Sequence, residues 1–350
     1  MRNRCLDVTT IGRSTRRFSR PARCLMVVAI LAACAEPAAD GTADAGGGVA
    51  TQPPAPAAAT VDLPEGVQAI SLLGDTLRAS VSAEAESRLV ADLVAAEAEY
   101  EADPQDADAL IWYGRRLGYL QEYREAIRIF SEGIALHPDD ARMYRHRGHR
   151  YISTRQLDAS LADFRRAAEL IEGTPDEVEP DGAPNALGIP TSTLQSNIWY
   201  HYGLTQYLMG DFEAAIDSYE AYLDVTTNPD QLVAISHWYY MALRRLGRDD
   251  EAAAILEPIH ADLEVIENGS YHDLLLMYRG EIEADELWGG QDDPLGSATV
   301  GYGVANWHFY NGRTDQAIEA FERVLDTGQW ASFGYIAAEA ELARLGRGGG

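Results

Sequence analysis

The residues best suited to chemistry lie together at 142–151, which read RMYRHRGHRY and hold four arginines and two histidines. A guanidinium binds a carboxylate or a phosphate through two parallel N–H donors, so this stretch predicts recognition of an anionic group. Two functions are compatible with it. One is a non-catalytic binding site, and the other is an enzyme of unknown reaction that acts on an anionic substrate.

The composition excludes several classes of function. The 350 residues hold 55 Asp and Glu against 28 basic residues, all of them Arg, for a net charge of -27. Nucleic acid is therefore not an expected partner, because binding it requires a broad basic surface. The cysteines are Cys5, Cys24 and Cys34, so the rest of the chain supplies no thiol nucleophile or disulfide.

Motifs for catalysis are absent from the sequence: it has no Gly-rich phosphate loop, no HExxH and no GxSxG. His146 and His149 are near enough in sequence to share a helix face. A zinc site needs more ligands, and the nearby arginines would repel the metal ion. We therefore predict no enzyme activity, no cofactor and no metal.

The first residues are typical of an export signal. A basic leader precedes the apolar run Leu25–Ala33, and Leu31-Ala32-Ala33-Cys34 resembles the lipobox of bacterial lipoproteins. The resemblance implies a signal peptide over 1–33 and acylation of Cys34. Residues 34–61 are rich in Ala, Pro and Gly and predict a disordered tether. The expected location is the bacterial cell envelope, on the periplasmic or surface side, with the lipid as the only membrane attachment. The alternative is an ordinary secretory signal cleaved near Ala33 or Ala35, with Cys34 playing no part.

A repeat with a period of about 34 residues runs through the remaining chain. Each repeat predicts two helices joined by a turn, with a small residue on the first helix and a small and an aromatic residue on the second. Stretches similar to the turn and second helix recur at 210–219, 247–256 and 312–321. The markers are Gly114, Ala126, Phe130 and Pro138, followed by Gly148, Ser160, Phe164 and Glu172.

This pattern resembles the tetratricopeptide repeat family, with residues 109–138 as the best-fitting repeat. The resemblance implies an all-α solenoid of helical hairpins, coiled into a right-handed superhelix of about five repeats over 104–346. Residues 173–194 hold four prolines and predict a long loop within the array. We expect a helical segment over 62–103 to open the array and a capping helix over 332–346 to close it.

The basic stretch then falls on the first helix of the second repeat, and first helices line the concave groove in this family. At 100° per residue, Arg142, Arg145 and His149 lie within an arc of about 60° on the groove side, and Arg115 takes the place of His149 one repeat earlier. We predict that these four residues form a cradle for an anionic group. In the alternative interpretation, the arginines pair with Asp and Glu of neighbouring repeats. Arg147 stands at a core position and is expected to have a carboxylate partner.

Aromatic residues on later first helices predict a second part of the same groove, suited to an apolar or extended peptide. Our prediction is therefore a scaffold that binds a protein or peptide partner, with a purely architectural envelope component as a further alternative. The residues whose helical phase turns them towards the groove are Tyr200, Tyr207, His237, Phe309 and Tyr310.

Overall fold

The computed structural model describes residues 63–289, 291 and 294–347, without the side chains of residues 83 and 84. The predicted signal peptide, the tether and Cys34 lie outside the described residues. The described residues form a small β-hairpin and a series of α-helices. They are β1 (Val67–Ile70), β2 (Thr76–Arg78), α1 (Ala83–Ala102), α2 (Ala107–Tyr119), α3 (Tyr123–Leu136), α4 (Ala141–Ser153), α5 (Leu157–Ile171), α6 (Leu194–Met209), α7 (Phe212–Asp224), α8 (Pro229–Arg245), α9 (Asp249–Ile255), α10 (Gly269–Tyr278), α11 (Ala284–Gly289), α12 (Pro294–Tyr310), α13 (Thr314–Leu325) and α14 (Phe333–Arg344).

Helices pair as hairpins, α2 with α3, α4 with α5, α6 with α7, α8 with α9 and α12 with α13, and one contact recurs in three of them. A glycine on the first helix faces an aromatic ring on the second helix of the same hairpin. A Cβ atom at this glycine would come closer than 3.0 Å to the ring, so only glycine lets the two helices pack this tightly. The pairs are Gly114 with Phe130, Gly148 with Phe164, and Gly203 with Tyr219.

The hairpins stack so that first helices contact one another along one side. α2 contacts α4, α4 contacts α6, and α6 contacts α8, while the second helices α3, α5 and α7 lie behind them. One pair of helices has an apolar stripe that it cannot bury alone, and stacking buries it. The fold is therefore an all-α solenoid of helical hairpins, as predicted, and α2, α4, α6 and α8 line its inner face.

The C-terminal helix α14 does more than cover the last hairpin. It packs on α12 and α13, as a cap would, and it also contacts α6. Arg344 donates to the backbone oxygen of Leu208 at 2.7 Å, and Arg245 of α8 pairs with Glu341. α14 therefore lies across the inner face of the solenoid, which the sequence did not predict.

The expectation of a helical segment over 62–103 needs a correction. α1 occupies only its second half, and β1 and β2 form an antiparallel hairpin before it. Ala69 and Leu77 of this hairpin are buried against Tyr123 and Trp330, so the partners that stabilise it are distant in sequence. Strands of four and three residues carry too little alternation to be recognised without those partners.

Candidate binding site

Arg142 lies at the N-terminus of α4, where the residue that caps the helix also holds its side chain. Asp140 caps the helix by accepting the backbone N–H of Arg142, and the guanidinium folds back onto the same carboxylate. A second carboxylate, that of Asp108 on α2, lies 2.7 Å from Nη1 of Arg142. These two carboxylates raise the pKa of the guanidinium, with Asp140 as the larger cause. The charge of this predicted cradle residue is thus already met by two aspartates.

Arg147 points the other way, into the core. Its Nε and Nη2 donate to the two carboxylate oxygens of Asp163 at 2.8 and 2.7 Å, and both side chains are almost fully buried. Nη1 donates to the Ser131 hydroxyl at 3.0 Å. The expected carboxylate partner of Arg147 is therefore present.

Arg115 and Arg145 are brought together under the long loop. Arg145 lies 3.1 Å from the Glu179 carboxylate, and Arg115 donates to the backbone oxygen of Pro180 at 2.7 Å. Burial lowers the pKa of Arg145, and Glu179 opposes this effect. The sequence placed these arginines on the wall of the groove, and in the structure residues of the 173–194 loop lie against both of them. A ligand-binding role for the two arginines stays a prediction.

Arg150, on the last turn of α4, was not singled out from the sequence. Among the contacts of the described residues, none joins its guanidinium to a carboxylate. The guanidinium stacks on the Tyr123 ring at 5.1 Å and lies against Gly118, where a Cβ atom would approach Nη1 to 2.8 Å. Arg115, Arg145 and Arg150, which we call the basic cluster, therefore have Glu179 as their one carboxylate partner within the part of the chain that the structure describes.

His149 lies at the edge of the basic cluster, among aromatic rings. Its ring centroid is 4.5 Å from that of His201 and 5.4 Å from that of Phe333. Burial, followed by the charge of Arg150, lowers the pKa of His149 well below its usual value, so the imidazole is neutral at pH 7. Its Nδ1 is buried and has no hydrogen-bond partner among the described residues.

The ring of His149 also forms part of the wall of a cavity of about 410 Å³, which we call the inner cleft. The other walls come from the N-terminal ends of α10, α12 and α14. Tyr271 and Phe333 supply aromatic surface, and Asn268 and Ser332 supply polar groups. The remaining lining residues are Glu267, Ser270, Leu295, Gly296, Thr299 and Ala331.

Two of the predicted aromatic residues support this cleft from behind. The Tyr200 hydroxyl lies 3.1 Å from that of Tyr271 and accepts a hydrogen bond from Trp238 Nε1 at 2.7 Å. The ring of His237 stacks on that of Tyr271 with centroids 4.6 Å apart. Tyr200 and His237 thus position Tyr271, although neither lines the cleft itself.

The other three predicted aromatic residues lie elsewhere. Tyr207 was expected to face the groove, but it is fully buried, and its hydroxyl lies 2.7 Å from that of Tyr302 and 2.9 Å from the Asn306 amide nitrogen. The physical reason is that α12 packs onto the inner face at this point. Phe309 and Tyr310 instead lie under the guanidinium groups of two arginines from α8. These are Arg245, 4.6 Å from the Phe309 ring, and Arg244, 4.4 Å from the Tyr310 ring.

Sequence reasoning missed Tyr271 and Phe333, the two rings that shape the inner cleft. Both lie in segments that fit the repeat poorly, within α10 and at the start of α14. The repeat register therefore gave no signal for them. A signal for Arg150 did exist, because it is one of the four arginines in 142–151.

The described residues contain no group of three or more His, Cys, Asp or Glu that could hold a metal ion. None of the helices in this part of the chain has the length and apolar character needed to cross a membrane.

Comparisons with known proteins match this architecture. The tetratricopeptide repeat family model matches residues 196–228, which include most of α6, the turn after it and all of α7. A curated relative, the Hsp70-Hsp90 organizing protein of Triticum aestivum, is 28% identical over 131 residues. That match covers 37% of this chain and only 19% of the relative.

Two solved structures are also similar. YrrB, described as a TPR protein with an unusual peptide-binding site, is 14% identical with a TM-score of 0.38, and the match covers 71% of this chain and 97% of YrrB. MamA AMB-1 is 17% identical with a TM-score of 0.37, over 49% of this chain and 88% of that one.

Proposed function

Because the chain is a tetratricopeptide repeat protein, we propose that it is a protein-interaction scaffold that binds a partner protein or peptide on its inner face, at the inner cleft. The observation that carries this proposal is the cleft of about 410 Å³ between α4 and the N-terminal ends of α10, α12 and α14. Its volume lies within the range of about 300 to 1,000 Å³ that is usual for ligand sites. Its lining combines aromatic rings with polar groups, and buried aromatic side chains are common in binding hot spots.

The chemistry of the cleft favours an uncharged or apolar group from the partner, because the carboxylate in its lining, that of Glu267, already accepts hydrogen bonds from Asn185 and Thr191. His149 is neutral at pH 7, and the rings of Tyr271 and Phe333 give an apolar surface. Asn268 and Ser332 can hydrogen-bond a peptide backbone. The curated relative is, by its name, an organizer of other proteins, which is the same general kind of activity.

A variant that fills the cleft tests this function. Thr299 lines the cleft, and Thr299→Trp would fill part of it without removing a core side chain. Glu319→Trp, at an exposed position on α13, is the matched control for an added indole. Proteins captured from the envelope fraction by the wild type and by Glu319→Trp, but lost with Thr299→Trp, would support the proposal. Equal capture by all three would contradict it.

Export and lipid attachment are a separate part of the proposal. The Leu31-Ala32-Ala33-Cys34 motif, which follows a basic and apolar leader, supports acylation of Cys34. The lipid would hold the scaffold at a bacterial membrane, and the acidic folded part would be repelled by anionic headgroups.

A further inference from the structure

We propose that the basic cluster is a binding site for an acidic peptide segment of a partner, and that residues 176–182 of the chain itself, DEVEPDG, occupy this site until the partner displaces them. This inference rests on the proposed scaffold function and names a second subsite for it, on α2, α4 and the start of α6. We call residues 176–182 the acidic segment.

The acidic segment crosses three first helices in order. At α6, Leu194 donates its backbone N–H to the backbone oxygen of Glu177 at 2.8 Å, and Val178 forms an isolated β-bridge with Thr193. In the middle, the Glu179 carboxylate meets Arg145 of α4. A chain that runs across successive first helices has the path expected of a peptide ligand in the groove.

The far end of the segment lies on α2. Arg115 donates to the Pro180 oxygen at 2.7 Å, and Arg116 donates to the Gly182 oxygen at 3.0 Å. Gly182 also packs so closely on Tyr119 that a Cβ atom would come closer than 3.0 Å to its ring. Both acceptors are backbone oxygens, so another peptide with the same path could replace them.

Polar contacts hold the segment in place, and Glu179 supplies its only side chain that is nearly buried. The Glu179 side chain is only 8% exposed and also accepts a hydrogen bond from Asn197 at 3.0 Å. Asp176, Glu177 and Asp181 are exposed, and the segment adds no large apolar side chain to the core. Segments with few buried apolar contacts open at low free-energy cost, so displacement is physically accessible.

The excess positive charge of the basic cluster would allow a ligand with more carboxylates to bind more tightly than the acidic segment does. The basic cluster has three guanidinium groups and one carboxylate partner, which contacts Arg145, so Arg115 and Arg150 have none among the described contacts. Burial, opposed by Tyr123 and reinforced by the charge of Arg145, lowers the pKa of Arg150. A second carboxylate placed beside Arg150 would relieve this repulsion and form a charge-assisted hydrogen bond that the acidic segment does not provide.

The test uses the full chain and a labelled synthetic peptide of residues 174–184 as the probe. Glu179→Gln removes the anchoring charge from the chain's own segment and keeps its shape, whereas Glu177→Gln removes an equal charge from an exposed side chain. An attached segment competes at an effective concentration in the millimolar range. We therefore expect Glu179→Gln to bind the probe about tenfold more tightly than the wild type, and Glu177→Gln to bind it as the wild type does.

The arginine that contacts the segment is tested in the Glu179→Gln background. Arg145→Met should weaken probe binding several-fold, because it removes the guanidinium that meets the Glu179 carboxylate. Arg88→Met removes a cation from an exposed position on α1 and should leave binding unchanged. If Glu179→Gln fails to fold, hydrogen exchange on the wild type decides: saturating probe should speed exchange of the chain's own amides in residues 176–182, because the probe takes their place.

Three results would overturn the inference. They are equal effects of Glu179→Gln and Glu177→Gln, unchanged probe binding with Arg145→Met, and unchanged exchange of the chain's own amides in 176–182 at saturating probe. The proposed function fails separately. If cleft-dependent capture of a partner persists while the probe does not bind, the scaffold function is supported and the acidic-peptide site is refuted. If the probe binds while cleft-dependent capture is absent, the acidic-peptide site is supported and binding at the inner cleft is refuted.

Discussion

Arg155, in the turn after α4, forms a buried ion pair with Glu339 of α14, a residue far along the chain in the last helix. Its Nε and Nη2 donate to the two carboxylate oxygens at 3.1 and 2.7 Å, and both side chains are at most 2% exposed. The same guanidinium donates to the backbone oxygen of Trp330 at 2.8 Å. This pair ties the second hairpin of the solenoid to its last helix, and thereby holds α14 across the inner face.

Breaking this ion pair should be costly. Arg155→Met leaves the Glu339 carboxylate buried with its main partner gone, and we expect the free energy of unfolding to fall by about 3 to 5 kcal/mol. Arg166→Met breaks an exposed pair with Asp139 and should cost less than about 1 kcal/mol. Urea unfolding followed by circular dichroism measures both values. Similar losses for the two variants would show that the Arg155 pair does not hold α14 in place.

The hairpin turns predict a second effect on stability. Gly247 ends the turn after α8 with φ of 71°, a left-handed conformation that costs a residue with a Cβ atom about 1 to 2 kcal/mol. Gly247→Ala should lower the free energy of unfolding by about that amount, although nothing lies within 4 Å of the added methyl group. Gly269→Ala is the control, because Gly269 also has open space but no positive φ. Loss of stability in the control alone would contradict the turn argument.

A third prediction concerns pH. Burial lowers the pKa of His237 from 6.5 to about 3. Between pH 6.5 and about pH 3 the unfolded chain binds a proton at His237 and the folded chain does not. The free energy of unfolding therefore has its full His237 contribution above about pH 7 and decreases as the pH falls below 6.5. His237 alone should account for a loss of about 2 kcal/mol between pH 7 and pH 5.

The matching variant is His237→Phe, which keeps a ring between Tyr271 and Tyr278 and removes the titrating group. The difference between its unfolding free energies at pH 7 and pH 5 should be smaller than in the wild type by the His237 contribution. Tyr278→Phe removes a hydroxyl near the imidazole and keeps the histidine, so it should retain the wild-type dependence. If His237→Phe shows the wild-type dependence of unfolding free energy on pH, groups other than His237 cause the loss of stability in acid.

How far the sequence predicted these features depends on where each partner lies. Gly114 and Phe130 belong to the same hairpin and are close in sequence, so the repeat register was enough to find the hairpins. The partner of Arg145 lies in an irregular loop with four prolines, and no periodicity points to Glu179. Helical phase also placed Tyr207 on the inner face, but phase alone does not reveal that α12 packs onto that face.

The proposed lipid attachment leads to a prediction in a bacterial host. Cys34→Ser removes the thiol that the predicted lipobox would acylate, and it should move the protein from the membrane fraction to the soluble exported fraction. Cys24→Ser changes a cysteine of the leader outside this motif and should leave the protein in the membrane fraction. Fractionation with palmitate labelling is the measurement. A Cys34→Ser protein that stays in the membrane, with no label in the wild type, would refute acylation.

Site-directed photo-crosslinking tests most directly the central claim, that partners bind at the inner cleft. A photoreactive residue would be placed at Thr299, in the cleft, or at Glu319, on the exposed face of α13, in cells that express the full chain. The scaffold account predicts a discrete crosslinked partner from Thr299, with the crosslink mapped to one peptide of that partner, and no such product from Glu319. Products that are the same from both positions, or a partner captured only from Glu319, would contradict it.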